Sequence, residues 1–339
     1  MSCGRKISEE AGMKEIGGYL ELEKFRGREY YPDLIKLNLG RSAAAYFLEA
    51  AGCRHLYLPL FMCTSVTEAV SALHIRISRY RLTADFLPDP RDLPDRPLAH
   101  DEWLYLMNPY GLLEDRQLIQ IERDRGQVFY DFTHAFFQRP PEGMPAVASV
   151  RKFFGVTDGA LLQSDRPLAL PPEQDYSCGR FTHILGRYEK TAGEFYRQML
   201  DNAHSYEGAP VRRMSALTEN LLRGIDYEAA ASARLANFKA LDELLNPYNE
   251  LAREGHFRTP DIGPFAYPML VENAPEIRRK LAASKIYVPQ YWSDVASDNP
   301  AGSVEQRYAA DILALPCDHR YNPEDMEYLA SQLLHMVKG

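Results

Sequence analysis

Apolar residues recur along this chain in two rhythms, one of period about 3.6 and one of period 2, and they alternate through its first half. The segment 42–51 (SAAAYFLEAA) reads as a helix with Ser42 as its N-cap. HLYLP at 55–59 is a short apolar strand that stops at Pro59, and 63–73 returns to helical spacing. IRISRYRL at 75–82 alternates as a half-buried strand does, and the Asp- and Pro-rich stretch 84–101 is loop. WLYLMNPYG at 103–111 begins as a buried strand and ends in an Asn-Pro turn. The amphipathic helix 113–126 (LEDRQLIQIERDRG) carries a glycine at its C-terminal end. QVFYDF at 127–132, AVASV at 146–150 and ALLQS at 160–164 are the next strands. Strands alternating with helices predict an α/β fold whose sheet is mainly parallel and covered on both faces.

From about 175 the pattern changes. Residues 184–204 and 215–245 read as long helices, and 247–270 as loop with a strand near FAYPMLV. A helix over 274–284, strands over 285–289 and 310–316 and a closing helix over 323–337 follow. This predicts a large α/β domain over 1–230 and a smaller C-terminal α+β domain over 231–339.

Composition narrows the classes. Hydrophobic residues are 45% and charged residues 25% of the 339, as in water-soluble folded proteins. The balance of 39 basic and 47 acidic residues, net −8, argues against a general nucleic-acid binder. No run of about 18 apolar residues predicts a membrane span, and the N-terminal residues lack the apolar stretch of a signal peptide, so a cytoplasmic protein is expected. Cys3, Cys53, Cys63, Cys178 and Cys317 form no CxxC pair; reduced thiols fit better than a disulfide framework or a structural metal site.

In an open α/β sheet, ligands bind beyond the carboxyl ends of the strands, so the residues just after each strand are the candidates. No GxGxxG and no GxxxxGK[ST] occurs there, which removes support for dinucleotide and Walker-type sites. Gly40-Arg41-Ser42-Ala43-Ala44 opens a helix and reads either as a phosphate-binding N-terminus or as an ordinary serine cap. Asp131 ends an apolar strand and needs a cation, such as a protonated pyridine nitrogen, or else caps the next turn. His134 either stacks on a planar ligand or fills a polar gap. Lys152 follows a strand and precedes the apolar segment FFGVTDGALL. A lysine there is either a snorkelling surface residue or an amine of lowered pKa suited to Schiff-base chemistry, with Arg151 beside it to lower that pKa or to bind an anion.

The ordered set resembles the DegT-like sugar aminotransferases, pyridoxal-phosphate (PLP) enzymes of fold type I in the aspartate aminotransferase superfamily. The similar segments are GRSAAAYFLEAAG at 40–52, LPLFMCTSVTEAV at 58–70, NPYGLLED at 108–115, Asp131-Phe132-Thr133-His134, and Lys152 with Gly159-Ala160 seven residues on. RRMSALTENLL at 212–222, the helix 227–245 and the ending 305–333 extend the likeness over about residues 36–335. The resemblance implies a seven-stranded, mainly parallel sheet in the large domain, PLP as cofactor and a homodimer. It implies that Lys152 forms the Schiff base and shuttles the proton, that Asp131 keeps the pyridine nitrogen protonated, and that His134 lies near the ring. It places Arg41, Ser42, Ala43, Phe61, Cys63 and Ser149 around the cofactor, and Tyr110, Arg151 and Arg213 at the substrates. Those substrates would be an amino acid donor, glutamate first, and a keto-sugar acceptor, nucleotide-linked, in cell-surface polysaccharide or secondary metabolite synthesis. Alternatives are another PLP reaction, a lyase or dehydratase, or a non-catalytic binding protein on the same fold.

Three departures mark a divergent branch. The ring-stacking aromatic of the family falls on Cys63, with Phe61 nearby; its phosphate-binding serine falls on Val147, with Ser149 three residues before the lysine; and its asparagine before Arg-Met-Ser is replaced by Val211-Arg212. Arg151, Arg212 or Arg213 offer compensating charge for the phosphate.

Overall fold

The computed structural model describes residues 16–337 apart from 167 and 172; Cys3 lies outside the described residues. Strand β1 (Ile35–Leu37) leads into α1 (Gly40–Ala50), β2 (His55–Pro59), α2 (Thr64–Ser71) and β3 (Arg76–Tyr80). Then come β4 (Glu102–Met107), α3 (Asp115–Arg125), β5 (Val128–Asp131), β6 (Ala146–Ser149) and β7 (Ala160–Gln163). The seven strands form one sheet in the order β1-β7-β6-β5-β4-β2-β3. β2 pairs in parallel with β3 and β4, and β4-β5 and β5-β6 are parallel too. β7 runs antiparallel to both β6 and β1. The near-continuous apolar runs of β4 to β7 follow from helices covering both faces of such a sheet.

The parallel strands β2, β4, β5 and β6 end at Pro59, Met107, Asp131 and Ser149, so these residues share one edge of the sheet. α1 starts at Gly40 with Leu39 as its N-cap, not at the serine the sequence pattern suggests; Ser42 is the third helical residue and is buried. β1 answers no expected element, because three residues at a sheet margin are too short to show a period.

Beyond the sheet, α4 (Thr182–Glu189) and α5 (Tyr196–His204) replace the single helix expected over 184–204. The break falls where Gly186 lies under the Phe195 ring, a contact a longer side chain would fill. The expected helix over 215–245 is likewise two, α6 (Ala216–Leu222) and α7 (Tyr227–Leu245), with Ser215 and Asp226 as separate N-caps. α8 (Glu250–Arg253), β8 (Tyr267–Leu270), α9 (Ala274–Ala283), α10 (Ser293–Asp298), α11 (Val304–Asp311), β9 (Ile312–Leu315) and α12 (Pro323–Val337) complete the chain. β8 and β9 pair antiparallel in a sheet of their own. The strand expected over 285–289 is extended chain without a partner; Val288 is buried, so its apolar run serves packing and not pairing.

Two hydrophobic clusters result. One surrounds the seven-stranded sheet. The other joins Phe238, Leu241 and Leu245 of α7 to β8, β9, α9 and α12. Arg234 of α7 lies where the cluster around the large sheet meets the rest of the chain, only 2% exposed. Its guanidinium donates to the carbonyls of Pro264 (3.1 Å) and Phe153 (2.9 Å) and lies 4.7 Å from the Phe153 ring centroid. No acid pairs with it among the described residues, so the carbonyl dipoles and the ring carry its buried charge.

Replacing Arg234 by Met keeps the bulk but strands those carbonyls, and is expected to cost about 3 kcal/mol in urea-induced unfolding; a loss under about 1 kcal/mol would count against the clamp. Gly159 has φ +125°, and a Cβ there would stand 2.3 Å from Val150 Cγ2, on the turn that carries Lys152. Gly159→Ala is expected to cost about 3 kcal/mol in the same measurement, from strain plus overlap.

Candidate active site

A cavity of about 460 Å³ opens at the carboxyl ends of β4, β5 and β6. Its lining includes Arg41, Cys63, Asp131, His134, Ser149, Arg151 and Lys152. Sheet geometry explains the convergence: consecutive parallel strands deliver their last residues to one edge.

Asp131, the last residue of β5, is 4% exposed. Its Oδ2 accepts from the Tyr105 hydroxyl at 2.8 Å and its Oδ1 from the Thr133 backbone N–H at 2.8 Å and from the Thr133 hydroxyl. Burial pushes this carboxyl up; the bonds from Thr133 and Tyr105, and the charge of Lys152, pull it down. The balance remains upward, so an ionised Asp131 lacks counter-charge.

Lys152 sits on the single turn Val150–Lys152 that follows β6. Its amine lies 4.6 Å from the Tyr291 ring centroid. Lys152 is accessible to small molecules yet crowded by protein on the scale over which charge is felt; both hold for a side chain that walls a recess. Burial lowers its pKa, the Cys63 sulfur and Asp131 oppose the change, and Arg151 adds to it. Asp131 and Lys152 feel each other's charge without forming an ion pair.

His134 is 5% exposed and stacks on Phe265, with centroids 4.0 Å apart and planes 16° from parallel. Its Nδ1 is buried with no hydrogen-bond partner among the described residues. Burial, then the charge of Lys152, holds the ring well below the usual histidine range, so it is neutral.

At the other side lies the start of α1. The first intrahelical bond is Ala43 N–H to Leu39 carbonyl, 2.9 Å, which leaves the N–H groups of Gly40, Arg41 and Ser42 as the open donors. Ala43 is therefore not one of the donors, contrary to the expectation from the sequence. Ser149 is on the cavity wall and 7% exposed.

Five expected residues are not among those lining the cavity: Ser42 and Ala43 in the first turn of α1, and Phe61, Tyr110 and Arg213. Phe61 is fully buried behind it, its ring 4.3 Å from that of Trp292. Tyr110 is 2% exposed and takes φ 57°, and its ring packs at 5.7 Å from both His134 and Trp292. Arg213 bridges Leu37 and Gln174 through its backbone, beside β1. Phe61 and Tyr110 sit just past strand ends in sequence, but packing turns them away from the recess; Arg213 follows no strand and is held beside β1.

The sequence pattern missed other lining residues: Thr133, His183, Met199, Asn202, Tyr291 and Trp292. Thr133 lay inside a quoted motif; the rest come from distant segments whose only signal is an aromatic pair or a polar residue on a helix.

No family model and no curated protein matches the sequence. Solved structures do. A DegT/DnrJ/EryC1/StrS aminotransferase from Brucella abortus is 13% identical, with a TM-score of 0.59 over 90% of this chain and 86% of that one. DesV from S. venezuelae, solved with a ketimine intermediate, is 17% identical, with a TM-score of 0.60 over 90% of this chain and 85% of that one. NtdA from Bacillus subtilis, solved with bound cofactor PMP, is 16% identical, with a TM-score of 0.61 over 90% of this chain and 73% of that one. The chain has the fold type I architecture of the PLP-dependent sugar aminotransferases.

Proposed function

We propose that this protein is a PLP-dependent aminotransferase acting on a sugar. The observation that carries the reading is the lysine–aspartate arrangement: Lys152 and Asp131 line one cavity at the sheet edge without pairing. The residues fit the cofactor. The buried Asp131 carboxylate lacks a cation, which a protonated ring nitrogen would supply. The open N–H groups of Gly40, Arg41 and Ser42, with the Ser149 hydroxyl, suit a phosphate at a helix N-terminus.

Bound there, PLP would act as an electron sink for charge developing on the substrate carbon. The chain's own groups do the rest. Lys152 Nζ, with its proton affinity lowered by its surroundings, would hold the cofactor and, once released, would accept and return a proton at Nζ. Asp131 Oδ holds its partner charged, and Tyr105 and Thr133 fix the carboxylate's orientation. His134, neutral and stacked on Phe265, borders the ring site. Cys63 stands at the wall in place of an aromatic, and Tyr291 and Trp292 help exclude water. Arg151 supplies charge for an anionic group of a ligand. Tyr110 and Arg213 drop out of the substrate set, because packing keeps them from the cavity.

The reading includes glutamate as first amino donor, a nucleotide-linked keto-sugar as acceptor, a homodimer, and a division into domains 1–230 and 231–339. What supports the division is the second hydrophobic cluster around β8 and β9. A cytoplasmic location is part of it; the described cysteines, Cys53, Cys63, Cys178 and Cys317, are all free thiols, and no described helix is long and apolar enough to cross a membrane.

Purified protein given PLP is expected to show the violet absorption band of a lysine-bound cofactor, and Lys152→Ala to lack it. In the wild type glutamate should then convert the band to that of the amine form, and steady-state amino transfer by Lys152→Ala should be slower by roughly 100- to 10,000-fold. A wild type without the band, or a band that survives in Lys152→Ala, rejects the reading. A band that no amino acid converts leaves PLP in place and rejects transamination.

A further inference from the structure

Tyr206, just past the end of α5, lies among three arginines and is 1% exposed. The guanidiniums of Arg151 and Arg180 lie over its ring, each 4.7 Å from the centroid. Its carbonyl accepts from Arg41 Nη2 at 2.5 Å, and its hydroxyl donates to the Thr157 carbonyl at 2.8 Å. Two of the three arginines have further oxygen partners: Arg180 pairs with Asp175 at 2.8 Å, and Arg41 has the Tyr206 carbonyl. Among the described residues Arg151 has no oxygen partner within hydrogen-bond distance, only the ring. The acid close by, Asp158, is already taken by the Ser215 N–H and hydroxyl (both 2.7 Å) and the Thr218 hydroxyl (2.6 Å). One turn before Tyr206, Asn202 is 8% exposed and lines the cavity, and its side-chain Oδ1, an acceptor, is buried with no partner among the described residues.

This corner of the cavity is rich in donors that lack acceptors among the described residues: the Arg151 guanidinium, the open end of α1 and the Ser149 hydroxyl. Like charges gathered around one ring repel unless an anion joins them. A planar guanidinium and several N–H groups suit the oxygens of a phosphate.

We propose that Tyr206 organises a phosphate receptor built within a single chain, with Arg151 as its charged donor beside the open N–H groups of α1. Tyr206 is a positioning residue: its ring orients Arg151 and its carbonyl anchors Arg41. The inference rests on the cofactor reading for one of its two phosphate sources, the cofactor itself; the other is a phosphorylated acceptor.

The test titrates cofactor-free protein with inorganic phosphate, PLP, pyridoxal (which lacks the phosphate) and UDP. Arg151→Gln and Tyr206→Leu should weaken inorganic phosphate roughly 10- to 100-fold. Tyr206→Phe, which keeps the ring and the carbonyl, should stay near wild type. Loss of PLP affinity with pyridoxal unchanged assigns the receptor to the cofactor. Loss of UDP affinity with PLP and pyridoxal unchanged assigns it to the acceptor. The proposal fails if wild type does not bind inorganic phosphate, if Arg151→Gln binds it as wild type does, or if pyridoxal weakens as much as PLP. A wild type that shows no violet band yet binds phosphate through Arg151 rejects the cofactor reading alone.

Discussion

The structure depends on how ionisable groups are kept in a recess that is short of counter-charge. Asp131, Lys152 and Arg151 all lose hydration at the edge of the sheet, and none forms an ion pair with another. Each charge is met by something weaker. Tyr105 and Thr133 donate to the carboxylate, the Tyr291 ring faces the amine and the Tyr206 ring faces the guanidinium. Such partial compensation leaves the groups reactive and receptive, because a ligand with the missing charges gains from entering.

Both halves of the chain make the recess. The sheet delivers Asp131, Ser149 and Lys152; the later segments deliver Phe265 beneath His134, and Tyr291 and Trp292 at the wall. Arg234 joins these parts, since it holds the carbonyl of Phe153, next to Lys152, and those of Pro264 and Phe265, next to the stacked ring (the last at 3.4 Å). A buried, hydrogen-bonded guanidinium therefore sets the relation between the lysine turn and the segment that supports His134.

The departures from the family pattern also have a place in three dimensions. Cys63 does reach the cavity, while Phe61 does not; its ring props Trp292 instead. Ser149, three residues before the lysine, lines the recess, and the wall from α4 and α5 adds His183 and Asn202. The basic corner is furnished from one chain.

Alternation and helical spacing determined the parallel core, since β2, β4, β5 and β6 bury both faces and announce themselves as apolar runs with turn residues after them. The strand-end rule then placed Asp131, His134, Ser149 and Lys152 together without any distance being known. Where a residue within a few positions of a strand end would point was not legible: Tyr110 and Phe61 turn into the core. Nor was the long-range pairing that draws Arg213, which follows no strand, to the β1 edge. Nor was the break between α4 and α5, or the gathering of Arg41, Arg151 and Arg180 around Tyr206. Local sequence fixes periodicity because that depends on neighbours along the chain. Which groups meet across 165 residues, as the Arg41 guanidinium and the Tyr206 carbonyl do, depends on packing, and only the tertiary structure decided it.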